Sequence, residues 1–450
     1  MKKILLINPV YQISAMKNAN PLALPPLGLL VLANNTPERF QVEIIDEAYQ
    51  PVDFDAAVDL VGITCVSHVA SRAYRFAAEF RKRGVPVVMG GVHVSFLPEE
   101  ALRHADAIVI GEADEIWRTV LEDFEKGALK RIYQVTERPD IRGMKPLQRR
   151  FLKGKYFVDT VQTSRGCPHN CHFCSVPAFN GSRIRYRDID RVLEEIRTIR
   201  NRHLFFVDDN IIGYTEDSRS RAMRLFEGLA PLKKEWAAQA TIDIAHHDQL
   251  LKSVYDSGGR FFMIGLESIS ADTLNSMNKR VNLKYLNSRD YYLESIRKLH
   301  DHGIAIVGSF IFGQDHDSPD AVERTLDFIR EAEVDAVQLC IQTPVPGTAL
   351  YKQLADEGRL RLTDYPHDWD AYNMFTLTYE PARLTEDELY LQLFRAYKEL
   401  SSFLPSLKRG LKTLIKTRSG FSTGISFFWN HGVYKTLKAV PELKKWTSQV

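Results

Sequence analysis

The sequence predicts an α/β protein: a doubly wound parallel sheet, then a partial (β/α)6 barrel, then a helical C-terminal region. Three observations predict it. Short β-rich apolar runs alternate with helical patterns from the first residues onward, residues 126–155 lose that periodicity and gain charge, Gly and Pro, and from about Tyr351 the pattern turns helical. At 450 residues the chain is too long for one compact core. The breaks divide it into a first unit at 1–130, a linker at 131–155, a barrel at 156–350 and a helical region at 351–450.

In the first unit, Ile4–Ile7, Val42–Asp46, Val61–Thr64, Val87–Met89 and Ala107–Ile110 read as five strands. Residues 70–83 have helical spacing, with Ala73, Phe76, Ala77 and Phe80 on one side and Arg72, Arg75, Glu79 and Lys82 toward water, as a crossover helix requires. Open parallel sheets bind ligands beyond the carboxyl ends of their strands. Here those ends carry Asn8, Pro9, Ser67, Gly90, Gly91, His93, Gly111 and Glu112. Glycine lets a backbone approach a ligand closely, although a Gly-Gly pair also makes a plain turn, and a loop histidine is more often a hydrogen-bonding residue than a ligand.

The second unit repeats the alternation. Phe157–Thr163, Leu204–Asp208, Trp236–Ile242, Phe261–Leu266, Ile304–Phe312 and Val337–Gln342 read as strands, with helices centred near Glu195, Leu225, Leu251, Ser295 and Phe328. Barrel chemistry sits on the loops after strand C-termini. Those positions hold Cys167, Cys171 and Cys174, then Asp208, Asp209 and Asn210, then Gln239, then Glu267 and Ser268, then Gly313.

The last hundred residues open with YKQLADEGRL and TEDELYLQLFRAYKELSSFL, the latter starting on a Thr-x-x-Glu helix signal. After Pro405, Lys408, Arg409, Lys412, Lys416 and Arg418 interleave with Leu407, Leu411, Leu414 and Ile415, and the aromatic run FSTGISFFWNHGVY follows. Such a segment could make peripheral membrane contact; the plainer expectation is an amphipathic helix packed on the barrel. Lys plus Arg is 59 and Asp plus Glu 57, so a net charge of +2 gives no drive toward nucleic acid. The first apolar run breaks at Asn8 and Pro9 before any signal-peptide core, and 21–33 is short with three prolines, so a cytoplasmic protein is expected.

Three of the five cysteines stand as C-x-x-x-C-x-x-C within QTSRGCPHNCHFCSVP. Three thiolates can each hold one iron of a four-iron cluster and leave the fourth iron open to a small molecule. Zinc is the rival, with His169 or His172 as a fourth ligand, but no second cysteine pair accompanies the first. Cys65 and Cys340 lie in strand-like surroundings and read as buried thiols.

With Phe173 just before the last cysteine, the motif resembles the signature of the radical S-adenosylmethionine (SAM) superfamily. The resemblance implies a TIM-like barrel and a [4Fe-4S] cluster whose open iron chelates SAM, with an electron splitting SAM into methionine and a 5′-deoxyadenosyl radical. It implies that Asp208, Asp209 and Asn210 meet the SAM amino group, that Glu267 and Ser268 meet the ribose, that Gln239 faces the same ligand, and that Gly308–Gly313, Ile311 included, lies along the adenine. The runs NPV, VGITCVS, VVMGGVHVSFLPEEAL and AIVIGEAD resemble a Rossmann-like cobalamin-binding domain, without the D-x-H-x-x-G motif whose histidine binds cobalt in many corrinoid proteins. Together these features resemble the subgroup that includes hopanoid C-2 methylases and tetraether-lipid synthases. The implied activity is cobalamin-dependent C-methylation of a lipid or other small molecule, fed by an electron donor such as flavodoxin or ferredoxin. Radical coupling, rearrangement or cyclisation without methyl transfer is the alternative enzyme reading, and a non-catalytic corrinoid or iron-sulfur carrier the alternative from another class.

Overall fold

The computed structural model describes residues 1–11, 23–283, 289–439, 443–447 and 449; Pro21 and Leu22 of the 21–33 run lie outside them. β1 (Lys2–Asn8), β2 (Phe40–Asp46), β3 (Leu60–Thr64), β4 (Val87–Gly90), β5 (Ala107–Ile110) and β6 (Ile132–Gln134) form one parallel sheet in the order β2-β1-β3-β4-β5-β6. Both faces are covered, because alternate residues of β1 enter separate cores: Leu5 and Ile7 on one side, Ile4 and Leu6 on the other. The helix Ala70–Lys82 buries Ala73, Phe76, Ala77 and Phe80, as its spacing predicts. β6 lies in the stretch the sequence reads as linker. At three residues, paired only to β5 and burying only Tyr133, it is too short to leave an alternating pattern.

The second unit is an open barrel. β7 (Asp159–Val161) is followed by a small ribbon of β8 (Ser164–Arg165) and β9 (Arg185–Tyr186), then by β10 (His203–Phe206), β11 (Glu235–Ala240), β12 (Gly259–Glu267), β13 (Ala305–Phe312) and β14 (Ala336–Ile341). The six main strands run parallel in the order β14-β13-β12-β11-β10-β7. Outward residues such as Phe206, Trp236 and Ile264 pack on the surrounding helices. Inward residues Ala237, Phe261, Ala305 and Val307 meet Phe421 and Ile425 of the C-terminal helix Gly420–Ala439 instead. That helix is fastened to the sheet edge, since Asn430 accepts from the Val337 N–H (3.1 Å) and Trp429 Nε1 donates to the Val337 carbonyl (3.2 Å).

The C-terminal region departs from the expected helical cap in two ways. Trp369 and Tyr372 return to the first unit's core, where Trp369 Nε1 donates to Glu100 (3.0 Å). The helix Phe403–Thr417 reverses the expected packing: it turns Ser406, Gly410, Thr413 and Thr417 inward and leaves its leucines exposed. Small residues permit the close approach, Thr413 donating to the buried Asp335 (2.8 Å) while Gly410 lies against Phe427. Among the described residues no helix is long and apolar enough to cross a membrane.

Candidate active site and cofactor cavities

The three cysteines follow β8 on a loop tied to its surroundings through backbone atoms. Cys167 N–H donates to the Gly181 carbonyl (3.1 Å), His172 N–H to Met277 (3.1 Å), and Cys174 N–H to Cys171 (3.1 Å), while Leu350 N–H donates back to His172 (2.9 Å). Gly166 permits the entry turn at φ +101°, where a Cβ would come within 2.6 Å of the Arg183 carbonyl. The thiols are free and half-buried, so all three side chains remain available as ligands. Burial raises the Cys171 thiol and pushes Cys174 up to about 12, so an iron must displace their protons to bind them. Tyr214 stands 3.4 Å from Cys167 Sγ, and the buried Nε2 of His169 has no hydrogen-bond partner among the described residues. Among the described residues, no three His, Cys, Asp or Glu side chains are grouped to hold one metal ion. An iron-sulfur cube needs no such convergence, because each thiolate takes a different iron. The donor set and its freedom fit such a cluster.

The neighbouring strand ends divide into groups that face the site and groups already committed. Asp208 is fully buried and accepts from the Thr163 N–H (3.0 Å), the Thr163 hydroxyl (2.8 Å) and the Ser164 hydroxyl (2.6 Å), so its carboxylate belongs to the turn beneath the cysteine loop. Asn210 donates to Gly213 (3.1 Å) and Thr241 (3.0 Å) and is likewise spent internally. Asp209 is the available carboxylate of the segment, pushed up to about 6 by burial and by the charge of Asp208, while the Gly166 N–H works against that rise. Glu267 ends β12 in the left-handed region at φ +62°, a conformation uncommon outside glycine, and pairs with Lys279 (2.7 Å). The Ser268 hydroxyl accepts from Ser270 N–H (3.1 Å). Gln239 faces the barrel interior. Strand alternation places Ile311 on the inward face with Val307 and Ser309, whereas a Cβ on Gly308 would meet Val334, Phe310 and Leu266 on the outer side. Gly308 therefore serves the packing of β13 rather than an approach to ligand.

Beyond the C-terminal ends of β3, β4 and β5 lies a cavity of about 700 Å³. Gly90, Gly91, Gly111 and Glu112 line it, as the sequence predicts. Among the described residues, the nearest atom to an added Cβ on Gly90 is Cβ of Val109 at 3.7 Å. Four other predicted residues are placed elsewhere. His93 is fully buried against the Ser67 hydroxyl (3.1 Å), the Tyr74 hydroxyl (3.1 Å) and Glu100 (3.3 Å), so both His93 and Ser67 belong to an internal network. Asn8 donates to Asp46 (3.1 Å), and Pro9 is buried outside the cavity wall. Among the described residues the lining contains no histidine. A glycine-floored, mostly apolar cavity beyond the carboxyl ends of parallel strands fits the slender arm of a cobalamin. Gly90→Trp should accordingly lower the cobalamin retained after gel filtration by about tenfold, while the iron content holds at about four per chain.

A second cavity, of about 600 Å³, occupies the barrel interior. Its wall is formed by Phe205, Ala237, Phe261, Met263 and Val307 of the barrel and by Phe428 and Trp429 of the C-terminal helix, with Gln239, His68, Tyr11 and Asn373 among its few polar groups. The two cavities are neighbours: Val66 lines the first and His68 the second, and Val207 and Phe205 divide between them in the same way.

Sequence reasoning missed the residues that join the units. Arg165, two residues before the first cysteine, bonds Glu112 (2.6 Å) and Asp114 (2.9 Å) of the first unit. Its position in SRGC was the available signal. Tyr214 and Lys279 left none, because their contacts depend on tertiary packing.

The comparisons agree with this architecture. The radical SAM superfamily model matches residues 161–329, and the B12 binding domain model matches residues 18–121. The bacteriochlorophyllide d C-8(2)-methyltransferase of Chlorobaculum tepidum is 30% identical, over 94% of this chain and 94% of that one. The hopanoid C-2 methylase of Rhodopseudomonas palustris is 27% identical over 75% of this chain and 65% of its own. Among solved structures, the radical SAM methyltransferase TsrM of Kitasatospora setae, with cobalamin and a [4Fe-4S] cluster bound, superposes with a TM-score of 0.70 at 15% identity. It covers 99% of this chain and 100% of that one, a likeness of fold. The chain belongs to the radical SAM superfamily. Within it, the protein is a cobalamin-dependent radical SAM methyltransferase, with a [4Fe-4S] cluster, SAM and cobalamin as cofactors.

Proposed function

We propose that this enzyme methylates an unactivated carbon of a large, predominantly apolar molecule held in the 600 Å³ cavity. The observation that carries this reading is the shared wall: loop 64–68 and β10 separate the cavity fit for cobalamin from the apolar one, so a substrate in the second lies beside a methyl donor in the first. When bound, the cluster with SAM supplies a hydrogen-abstracting radical and cobalamin carries the methyl group. In this reading Cys167, Cys171 and Cys174 hold the cluster, with Phe173 between them packed on the barrel core. Asp209 and the backbone carbonyls of 208–210 receive the SAM ammonium. Glu267, held by Lys279, accepts from the ribose hydroxyls with Ser268 beside it, and Ile311 provides an apolar wall for the adenine. Units at 1–130, 156–350 and 351–450, joined at 131–155, divide the work between cobalamin, radical initiation and closure of the barrel.

The substrate class follows from the cavity chemistry. Phe205, Phe261, Phe428 and Trp429 offer apolar area, while Gln239 and His68 supply the few hydrogen bonds that set orientation. The two relatives are named for a bacteriochlorophyllide and for hopanoids, both bulky and rich in hydrocarbon. The deciding experiment is anaerobic reconstitution with a reductant such as flavodoxin or ferredoxin, methyl-deuterated SAM, cobalamin, and solvent extracts of apolar cell material. S-adenosylhomocysteine together with a deuteromethylated apolar product supports the reading. 5′-Deoxyadenosine without S-adenosylhomocysteine would favour coupling or cyclisation instead. Gly432 lies in the cavity wall, where no described residue comes within 4 Å of an added Cβ. Gly432→Trp should therefore cut methylated product by about 100-fold while SAM cleavage stays within about threefold of wild type.

A further inference from the structure

The helix Phe403–Thr417 is polar on its buried side and apolar on its exposed side, the opposite of a helix that belongs to a water-facing surface. Leu404 is 65% exposed, Leu411 52% and Ile415 78%, and Phe403, Leu407 and Leu414 extend the same stripe. No fold-stabilising burial explains six large apolar side chains there, and they form one continuous patch. Charge defines what meets them. Residues 403–418 contain Lys408, Arg409, Lys412, Lys416 and Arg418 and no carboxylate. Lys408 and Lys412 lie exposed along one flank of the stripe, and Glu333 of the barrel ties Lys412 and Lys416 in place. A second copy of this chain would bring like charges together, whereas an anionic bilayer offers hydrocarbon to the leucines and phosphates to the lysines.

The patch also leads to the interior cavity. Phe403 stacks edge-on against Phe427 (6.0 Å between ring centroids), and Phe427 against Phe428 (5.3 Å). Phe428 is 45% exposed and part of the cavity wall. A run of contacting aromatic rings thus links the stripe to the wall of the chamber.

We propose that the stripe docks on an anionic membrane surface and that the apolar substrate enters the 600 Å³ cavity from the bilayer past Phe428. The docking stands on the stripe alone; the entry route rests on the apolar-substrate reading above. The test is co-sedimentation of the reconstituted full chain with vesicles of phosphatidylcholine and of phosphatidylcholine mixed with phosphatidylglycerol. Wild type should pellet with the anionic vesicles, less so in high salt. The double variant Leu411→Glu, Ile415→Glu should lose about tenfold or more of that binding, since two carboxylates replace two exposed apolar groups that docking would bury, with an unchanged circular dichroism spectrum and unchanged 5′-deoxyadenosine formation. Wild type staying in the supernatant, or the variant binding equally well, would overturn the proposal. So would light scattering that shows a wild-type dimer which the variant dissolves, for then a second copy covers the stripe. Vesicle binding is read without turnover, so a failed methylation assay leaves this result standing by itself. With docking secured, the entry route predicts that substrate embedded in anionic vesicles is methylated about tenfold faster by wild type than by the double variant, and equal rates would sink it.

Discussion

Replacing Cys171 with alanine should drop bound iron from about four per chain to below one and abolish 5′-deoxyadenosine formation. In the proposed site each thiol would hold a different iron, so the two that remain could not anchor the cube, and the corner kept for SAM would no longer be the single open one. The loop itself should survive, because its fastening runs through backbone atoms of Cys167, His172, Cys174 and Leu350 and not through the Cys171 side chain. Unchanged thermal unfolding of the iron-free variant against iron-free wild type checks that point. The control is Cys340→Ser. That thiol is buried, with its pKa pushed up to about 12 by burial, and it belongs to β14 and not to the cysteine loop, so its loss should leave iron content intact. Iron and 5′-deoxyadenosine are measured on the same anaerobic preparation. Full iron content in Cys171→Ala would mean that another group holds the cluster.

The sheets were legible because parallel strands covered on both faces write themselves as unbroken apolar runs: all eleven runs of the sequence reading reappear as strands. β6 was not, since three residues with one buried side chain carry no period. The cysteines were legible from spacing alone, as ligands on one loop must be close in sequence. Asp208 shows where that logic stops. An acidic run after a strand identifies the segment that faces the site, but which carboxylate is spent on the Thr163–Ser164 turn depends on a partner strand some forty residues away. His93 fails in the same way, its ring being held by Ser67, Tyr74 and Glu100 rather than turned into the cavity. The helix Phe403–Thr417 gives the opposite lesson. Its amphipathic period was plain, yet the period cannot say which side meets protein, and here Ser406, Gly410 and Thr413 do because they let two helices close up.

Glu112→Ala should destabilise the protein by about 3–5 kcal/mol and loosen both cofactor sites together. Glu112 closes β5's end and reaches across the unit boundary to Arg165 (2.6 Å) and to Arg185. Burial works against the charge of Arg165, yet Asp114 and Glu112 hold its guanidinium above its ordinary pKa. With Glu112 gone, Arg165 keeps Asp114, but Arg185 keeps only the carbonyls of Pro139 (2.7 Å) and Asn180 (3.1 Å) and stays a buried cation without its carboxylate. Removing one partner of a buried pair costs more than the pair gained, because the remaining charge is still desolvated. The functional consequence follows from position. Glu112 lines the cavity fit for cobalamin, while Arg165 stands two residues before Cys167 and Arg185 faces it across the β8–β9 ribbon. Differential scanning calorimetry should show a lowered transition, and bound cobalamin and iron should fall in parallel. Glu112→Gln, which keeps the shape and part of the hydrogen bonding, should fall between wild type and alanine. If alanine lowered cobalamin alone, with stability and iron unchanged, Glu112 would be a contact to the cofactor and not the bolt between the two units.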